Sequence, residues 1–547
     1  MQKRLLALAL ALTMAIASLT GCGVPGQDSS AATPETDSGT KAPKTTFKYS
    51  VLGEAPTLDP QLSNSRPSNT IGVHIFECLT RTTAGKLEKG GSESWEISED
   101  GLTYTFHLKD MLWSDGQPVK AQDYEYGIRR LMDPATASPY AFFGEIIKNG
   151  LAVEQGKMKP EELGVKAIDD KTVVIEIEYP ATYFLSMLSA MSFAPVRQDY
   201  VEKYGKDFAA TADKNVYNGP FAVDQILTGD RLILAKNDKY WNNEAIKLEN
   251  VEIINVADGN TALSMYENGD LDFVDVPLEV IDLYKDKVKS YYDGSNDFLR
   301  LNMDGRCELT NKNLRLAINY AINRTEFITL TSNDAWSANT RYVLPQVQGV
   351  SKTYGEEYPY SAFPVDGDKV KAKEYLDAAL KELGKTADQI ELEMMTTDTE
   401  RSKKQAEVLQ QQIQDVLGIK ITIKQVPYKQ KLDLDDKHEF EISFGGWAPD
   451  YSDPYTYLEL WPTGASYNQG SYSSEVYDNY IKQAKECVND PKARMDALFN
   501  AEKTLCEDGA IVPLLLRQRQ YMVDDSFKGT EMYFLGADIN FVYAYFE

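Results

Sequence analysis

Catalysis needs nucleophiles, acids, bases or metal ligands at workable spacing, and this chain offers few. It has three histidines, His74, His107 and His438. The patterns HExxH, GxSxG and GxxxxGK[ST] do not occur. A zinc hydrolase or a Ser–His–Asp enzyme would have to draw on one of those three. His107 falls on the polar face of an alternating segment. His438 lies in the charged run 433–441, which reads as a solvated loop. His74 belongs to a helix beginning near Thr70. The run Asp433-Leu434-Asp435-Asp436 lacks the glycine-centred spacing of a calcium loop. No metal site, catalytic residue or cofactor is therefore expected. The 83 Asp and Glu residues make chance carboxylate pairs common, so an all-carboxylate glycosidase stays open.

One segment does read as a binding site. Phe440-Glu441-Ile442-Ser443-Phe444 has the pattern of a short strand, and Gly445-Gly446-Trp447-Ala448-Pro449-Asp450 follows it. Two glycines leave the backbone open to close approach. A strand end with accessible N–H and C=O groups pairs with any extended peptide, whatever its side chains. Asp450 would neutralise an α-ammonium. The competing reading is a Gly-Pro turn with a packed tryptophan.

These residues need a scaffold, and the periodicity supplies one. Leu102, Tyr104, Phe106 and Leu108 alternate with polar residues, predicting a strand with one buried face. Residues 121–132 read as a helix stopped by Asp133-Pro134, and 172–178 and 231–235 read as strands. Residues 260–268 predict a helix leading into a strand at Leu271-Asp272. The clearest unit is strand, helix, strand. Ile390, Leu392 and Met394 alternate, 401–417 is helical with Gly418 placed to cap it, and Ile419, Ile421 and Ile423 alternate again. That order predicts a parallel pair with a right-handed crossover. The fold class is α/β, in several lobes with crevices between them.

With 547 residues, 43 % of them hydrophobic, the chain is long enough for several globular units. Its formal charge of −26 argues against a nucleic-acid partner and against polybasic docking on lipid. Lys3 and Arg4 precede an apolar stretch over 5–19, too short for a membrane helix but suited to a secretory signal. Leu19-Thr20-Gly21-Cys22 looks like a lipobox, so 1–21 is the expected signal peptide and Cys22 the lipidated residue. Residues 22–46, rich in Gly, Ser, Thr, Pro, Ala and Asp, form a flexible tether. Cys78, Cys307, Cys487 and Cys506 show no disulfide framework and read as buried free thiols.

Five motifs in order then resemble the dipeptide/oligopeptide-binding lipoproteins of ABC transporters. They are Glu54-Ala55-Pro56-Thr57-Leu58-Asp59-Pro60; Tyr104-Thr105-Phe106-His107-Leu108-Lys109 running into Trp113-Ser114-Asp115-Gly116; Asn218-Gly219-Pro220-Phe221; Leu314-Arg315-Leu316-Ala317-Ile318 with Ala321-Ile322-Asn323-Arg324; and Gly446-Trp447-Ala448-Pro449-Asp450-Tyr451. The resemblance implies a binding-protein clamshell of three lobes with mixed sheets. Lobe I would comprise 47–76, 201–300 and 517–547, lobe II 77–200 and lobe III 301–516, with hinges near Leu301 and Leu516. A short extended peptide would be buried between lobes I and III. Gly446, Trp447 and Ala448 would supply one pairing edge and Asn64, Ser65 and Arg66 the other. Asp450 would anchor the peptide ammonium, and Tyr140 and Tyr428 would wall the pocket. The protein would be a monomer outside the cytoplasm, held to the membrane by its N-terminal lipid, passing peptides to an ABC permease.

Two positions depart from the pattern of enteric peptide binders, which carry arginine where this chain has Asp435 and Phe444. Peptide length and side-chain preference are therefore open, with the acidic chain favouring cationic or free-amine peptides. Binding of an oligosaccharide or metal chelate on the same fold is the alternative, and a secreted carboxylate hydrolase the second.

Overall fold

The structure is a computed structural model and describes residues 44–547, apart from 52–54, 64, 84–85, 466, 488–489 and 536. The expected signal peptide, Cys22, most of the tether and Asn64 lie outside the described residues. Residues 44–547 form one compact unit. Its first strand, Thr46–Val51, buries Phe47 and Tyr49 by simple alternation. The last positions assigned to the tether belong to the fold: Lys44 pairs with the buried Asp272, and Thr46 opens that strand.

The described residues build an eleven-stranded mixed sheet. Two strands of 13 residues run through its middle, Lys289–Leu301 and Ile511–Val523, paired antiparallel. On one side of this pair lie Ile442–Trp447, Glu391–Thr397 and Lys420–Val426 in that order. On the other lie Phe273–Asp275, Thr46–Val51, Asn250–Asn255, Arg231–Lys236 and Phe221–Leu227. The register of the long pair breaks between Tyr292↔Gln518 and Asn296↔Leu516, so three residues of one strand face one of the other. Gly294 sits in this bulge with φ 85°, a left-handed conformation that glycine adopts without strain.

The predicted crossover unit is present. Glu391–Thr397 and Lys420–Val426 are parallel, joined by the helix Glu400–Leu417. Thr399 caps that helix, accepting from Ser402 N–H, and Gly418 closes it at φ 68°. Ala406, Leu409, Ile413 and Val416 pack onto the sheet. A separate four-stranded sheet contains Ser92–Ile97, Thr103–Leu108, Thr172–Glu176 and Val165–Ala167. Tyr104, Phe106 and Leu108 are buried there as their alternation predicts, beneath the helix Ala121–Met132.

Two motif residues, Asp59 and Trp113, tie this scaffold together. Arg130 grips Asp59 with two hydrogen bonds of 2.6 Å, and Trp113 Nε1 donates to Asp123 at 3.0 Å. One expectation is corrected. The run 433–441 is not a solvated loop: the helix Tyr428–Asp436 covers its first part, and Asp435 is buried against Lys431. The leucines and charges there follow neither period clearly, so the helix has no amphipathic signature in the sequence. Cys78, Cys307, Cys487 and Cys506 are unbridged; Cys78 and Cys506 are buried, the other two half-buried.

Candidate functional site

The strand Ile442–Trp447 is paired on one edge along its whole length, from Leu301↔Ile442 to Asn296↔Trp447. On its other edge the parallel pairing with Glu391–Thr397 reaches only Ile442 and Ser443. From Phe444 onward that edge faces a cavity of about 770 Å³. Gly446 is exposed there, and a Cβ at this position would fall on Asp297 Oδ1. A side chain at 446 would displace the Asp297 carboxylate, which accounts for the glycine. Trp447 lies edge-on to Tyr467, with ring centroids 5.8 Å apart, and its Nε1 is buried without a hydrogen-bond partner among the described residues. Ala448 and Pro449 continue the wall.

Asp450 follows at the same wall. Its backbone N–H donates to Thr456 Oγ1 at 3.2 Å, and the Tyr140 hydroxyl donates to its carboxylate. Burial pushes the Asp450 carboxyl up to about 7, outweighing the Tyr140 bond that pulls it down. Among the described residues no cation forms an ion pair with it. The Tyr140 phenol is pushed up in turn, by burial and by the neighbouring carboxylate. The site thus offers a desolvated carboxylate, held by one hydrogen bond, at the end of an unfilled strand edge. Its natural complement is an ammonium group.

The other predicted residues divide. Tyr140 stands at the cavity, against Asp450, with its ring tilted against Phe142 and edge-on to Phe143. Tyr428 also lines the cavity, from the first position of its helix, where it is 65 % exposed. Ser65 spends its hydroxyl capping the helix Arg66–Ile75, accepting from Ser68 N–H. Arg66 faces the cavity, but its guanidinium is engaged with Asp538 at 3.0 Å and with the Asp293 carbonyl. Neither supplies a continuous pairing strand, because residue 66 already starts the helix.

Arg66 and Asp538 also border a second cavity of about 850 Å³. An ionic chain lines it. Arg517 Nε donates to Asp293 Oδ2 at 2.6 Å, Arg519 bonds Asp538 at 2.8 Å, and Arg519 also meets Asp275. These ties hold both sides of the bulge at Gly294. Two cations at the first cavity, Arg300 and Lys431, carry no signal in the local sequence; only the fold brings them together. Among the described residues, no group of three or more His, Cys, Asp or Glu side chains is placed to hold a metal ion, and no helix is long and apolar enough to cross a membrane.

Known proteins share this architecture. The dipeptide-binding protein of Lactococcus lactis is 31 % identical over 526 residues, covering 92 % of this chain and 94 % of its own. The substrate-binding domain of an oligopeptide ABC transporter from Bacillus anthracis superposes with a TM-score of 0.78 at 34 % identity, over 92 % of this chain and 99 % of its own. The peptide-bound OppA of Listeria monocytogenes does so with a TM-score of 0.76 at 30 % identity, over the same shares. The model of the bacterial extracellular solute-binding proteins, family 5 (middle region), matches residues 86–469. On fold, sequence and family model alike, the chain belongs to the family 5 extracellular solute-binding proteins, which bind solutes and are not enzymes.

Proposed function

We propose that this protein captures short peptides in extended form outside the cytoplasm and delivers them to an ABC importer. The observation that carries the reading is the half-buried Asp450 carboxylate, in the cavity wall and without a cation among the described residues, at the end of the open edge 444–447. A peptide lying along that edge would satisfy its N–H and C=O groups as an added strand. Its α-ammonium would complete an ion pair already desolvated on the protein side. The relatives named for dipeptides and oligopeptides point the same way.

The finer organisation belongs to the same proposal. Lobe I takes 47–76, 201–300 and 517–547, lobe II 77–200 and lobe III 301–516. The two long strands connect lobes I and III, and the bulge over 293–295 opposite Arg517 is the natural place to bend. The hinges of this proposal lie near Leu301 and Leu516, and the bulge lends the strand pair flexibility between them. Closure on the peptide would bury it between the two lobes. Lipidation at Cys22 would hold the protein, as a monomer, at the membrane beside its permease.

Calorimetry with short peptides tests the reading. Tri- and tetrapeptides with a free amine bind, and N-acetylation of the same peptides abolishes most of the affinity. Asp450→Asn weakens binding by at least about a hundredfold, since removing one partner of a buried charge pair costs about 3–5 kcal/mol. Binding that survives both changes undiminished refutes the anchor.

A further inference from the structure

Arg300 lies in the long strand Lys289–Leu301, opposite Ser443. Its side chain is 10 % exposed and lines the first cavity. A guanidinium carries five N–H donors in a fixed fork. Here the nearest carboxylate, Asp435, stands 3.7 Å from Nη1, beyond hydrogen-bond reach, and the guanidinium lies 5.6 Å from the Phe298 ring centroid. No hydrogen bond engages the fork among the described residues. Lys431, 6 % exposed, donates to the same Asp435 Oδ2 at 2.7 Å. Two buried cations thus share one carboxylate oxygen. Asp435 Oδ1 and the adjoining Ser443 Oγ are also buried without partners. Asp436 faces the same cavity from an exposed position and accepts from Gln469 at 2.6 Å. Burial pushes both cations toward their neutral forms, against the pull of Asp435. At close range the two cations have one carboxylate oxygen between them, and the Arg300 fork is left open to the cavity.

Strand geometry says which anion. Residues paired across a sheet put their side chains on the same face. Arg300↔Ser443, Phe298↔Gly445 and Asn296↔Trp447 therefore share the cavity face. A Cβ at Gly445 would stand 3.6 Å from Arg300 Nη1 and 3.9 Å from Lys431 Nζ. A peptide strand added along 444–447 places its residue beside Gly445 with the side chain on that same face. We propose that Arg300 and Lys431 receive a side-chain carboxylate of the bound peptide, so that the protein selects peptides with Asp or Glu at one interior position. This rests on the peptide reading above. It also reverses the preference for cationic peptides that a formal charge of −26 suggests. The two positions from which arginine is missing, 435 and 444, lie at this spot, and cations from other elements occupy it.

The test uses the full-length protein and alanine-based peptide amides of three to five residues, with a free N-terminus and Glu or Gln at each interior position in turn. At one position the Glu peptide binds about tenfold or more tighter than its Gln isostere, the gain expected of a charge-assisted hydrogen bond. In Arg300→Met that ratio falls to about one, whatever the common change in affinity for the two peptides. Lys431→Met lowers the ratio in the same sense. Equal affinities for every Glu/Gln pair overturn the subsite, and this comparison needs no variant. A preference that survives both variants overturns it as well. If a free C-terminal carboxylate on the Gln peptide reproduces the gain and Arg300→Met removes it, the side-chain assignment is wrong. Failure of every peptide to bind overturns the peptide reading itself, whereas binding without discrimination overturns only this subsite.

Discussion

Asp450 holds its proton more tightly than an exposed carboxylate because the cavity wall desolvates it, and this has two consequences of known sign. A peptide ammonium needs the ionised form. Affinity for free-amine peptides therefore rises by up to about tenfold per pH unit as pH climbs toward 7, and levels off above it until the peptide's own amine loses its proton near pH 8. Calorimetry across that range checks it. Folding stability of the ligand-free protein runs the other way. Between the ordinary carboxylate pKa of about 4 and 7, the folded state keeps a proton that the unfolded chain gives up, so stability falls as pH rises through that window. Glu459, pushed up to about 8 by burial, adds a loss of the same sign. The part due to Asp450 is the difference between wild type and Asp450→Asn, read as urea midpoints at pH 5 and pH 8. At this scale, Gly446, Trp447 and Asp450 were legible because the chemistry is written in consecutive residues. Arg300 and Lys431 were not, because their meaning depends on a neighbour far away in sequence.

Local elements were the most legible. The helix Glu400–Leu417 announces itself by period, cap and closing glycine, all within its own span. The strand Thr103–Leu108 does so by alternation. The two 13-residue strands do not, since the register between them breaks and their partners lie more than a local window apart. Their bulge is nonetheless a sharp target. At Gly294, φ 85° strains any other residue, and a Cβ would meet Pro449 Cδ at 2.9 Å and the Phe534 carbonyl at 3.0 Å. Gly294→Ala is expected to cost about 1–2 kcal/mol of stability from the backbone alone, visible as a lower urea midpoint. Because Pro449 precedes Asp450, the same substitution also weakens peptide binding in calorimetry. Normal affinity in a destabilised variant would show that the bulge and the anchor are mechanically independent.

The molecule as a whole was legible as a class, α/β with lobes and crevices, but its continuity was not. The two sides share one sheet, joined through the long strand pair, so the proposed closure would have to bend within paired strands. Small-angle scattering checks this: saturating peptide lowers the radius of gyration, and Asp450→Asn at the same peptide concentration leaves it unchanged. An unchanged radius at proven saturation argues against closure. The same topology dictates an order of assembly. Phe273–Asp275 and Lys289–Leu301 both pair with Ile511–Val523, and the cavity wall at 533–540 follows later still. A nascent chain has therefore made both halves of the sheet before it makes the strand that joins them. Until Ile511–Val523 emerges, the sheet cannot be completed, and contacts of such long sequence separation form slowly. A polypeptide whose sheet stays open until that joining strand is made remains threadable, which is the state a protein destined for the far side of a membrane has to keep.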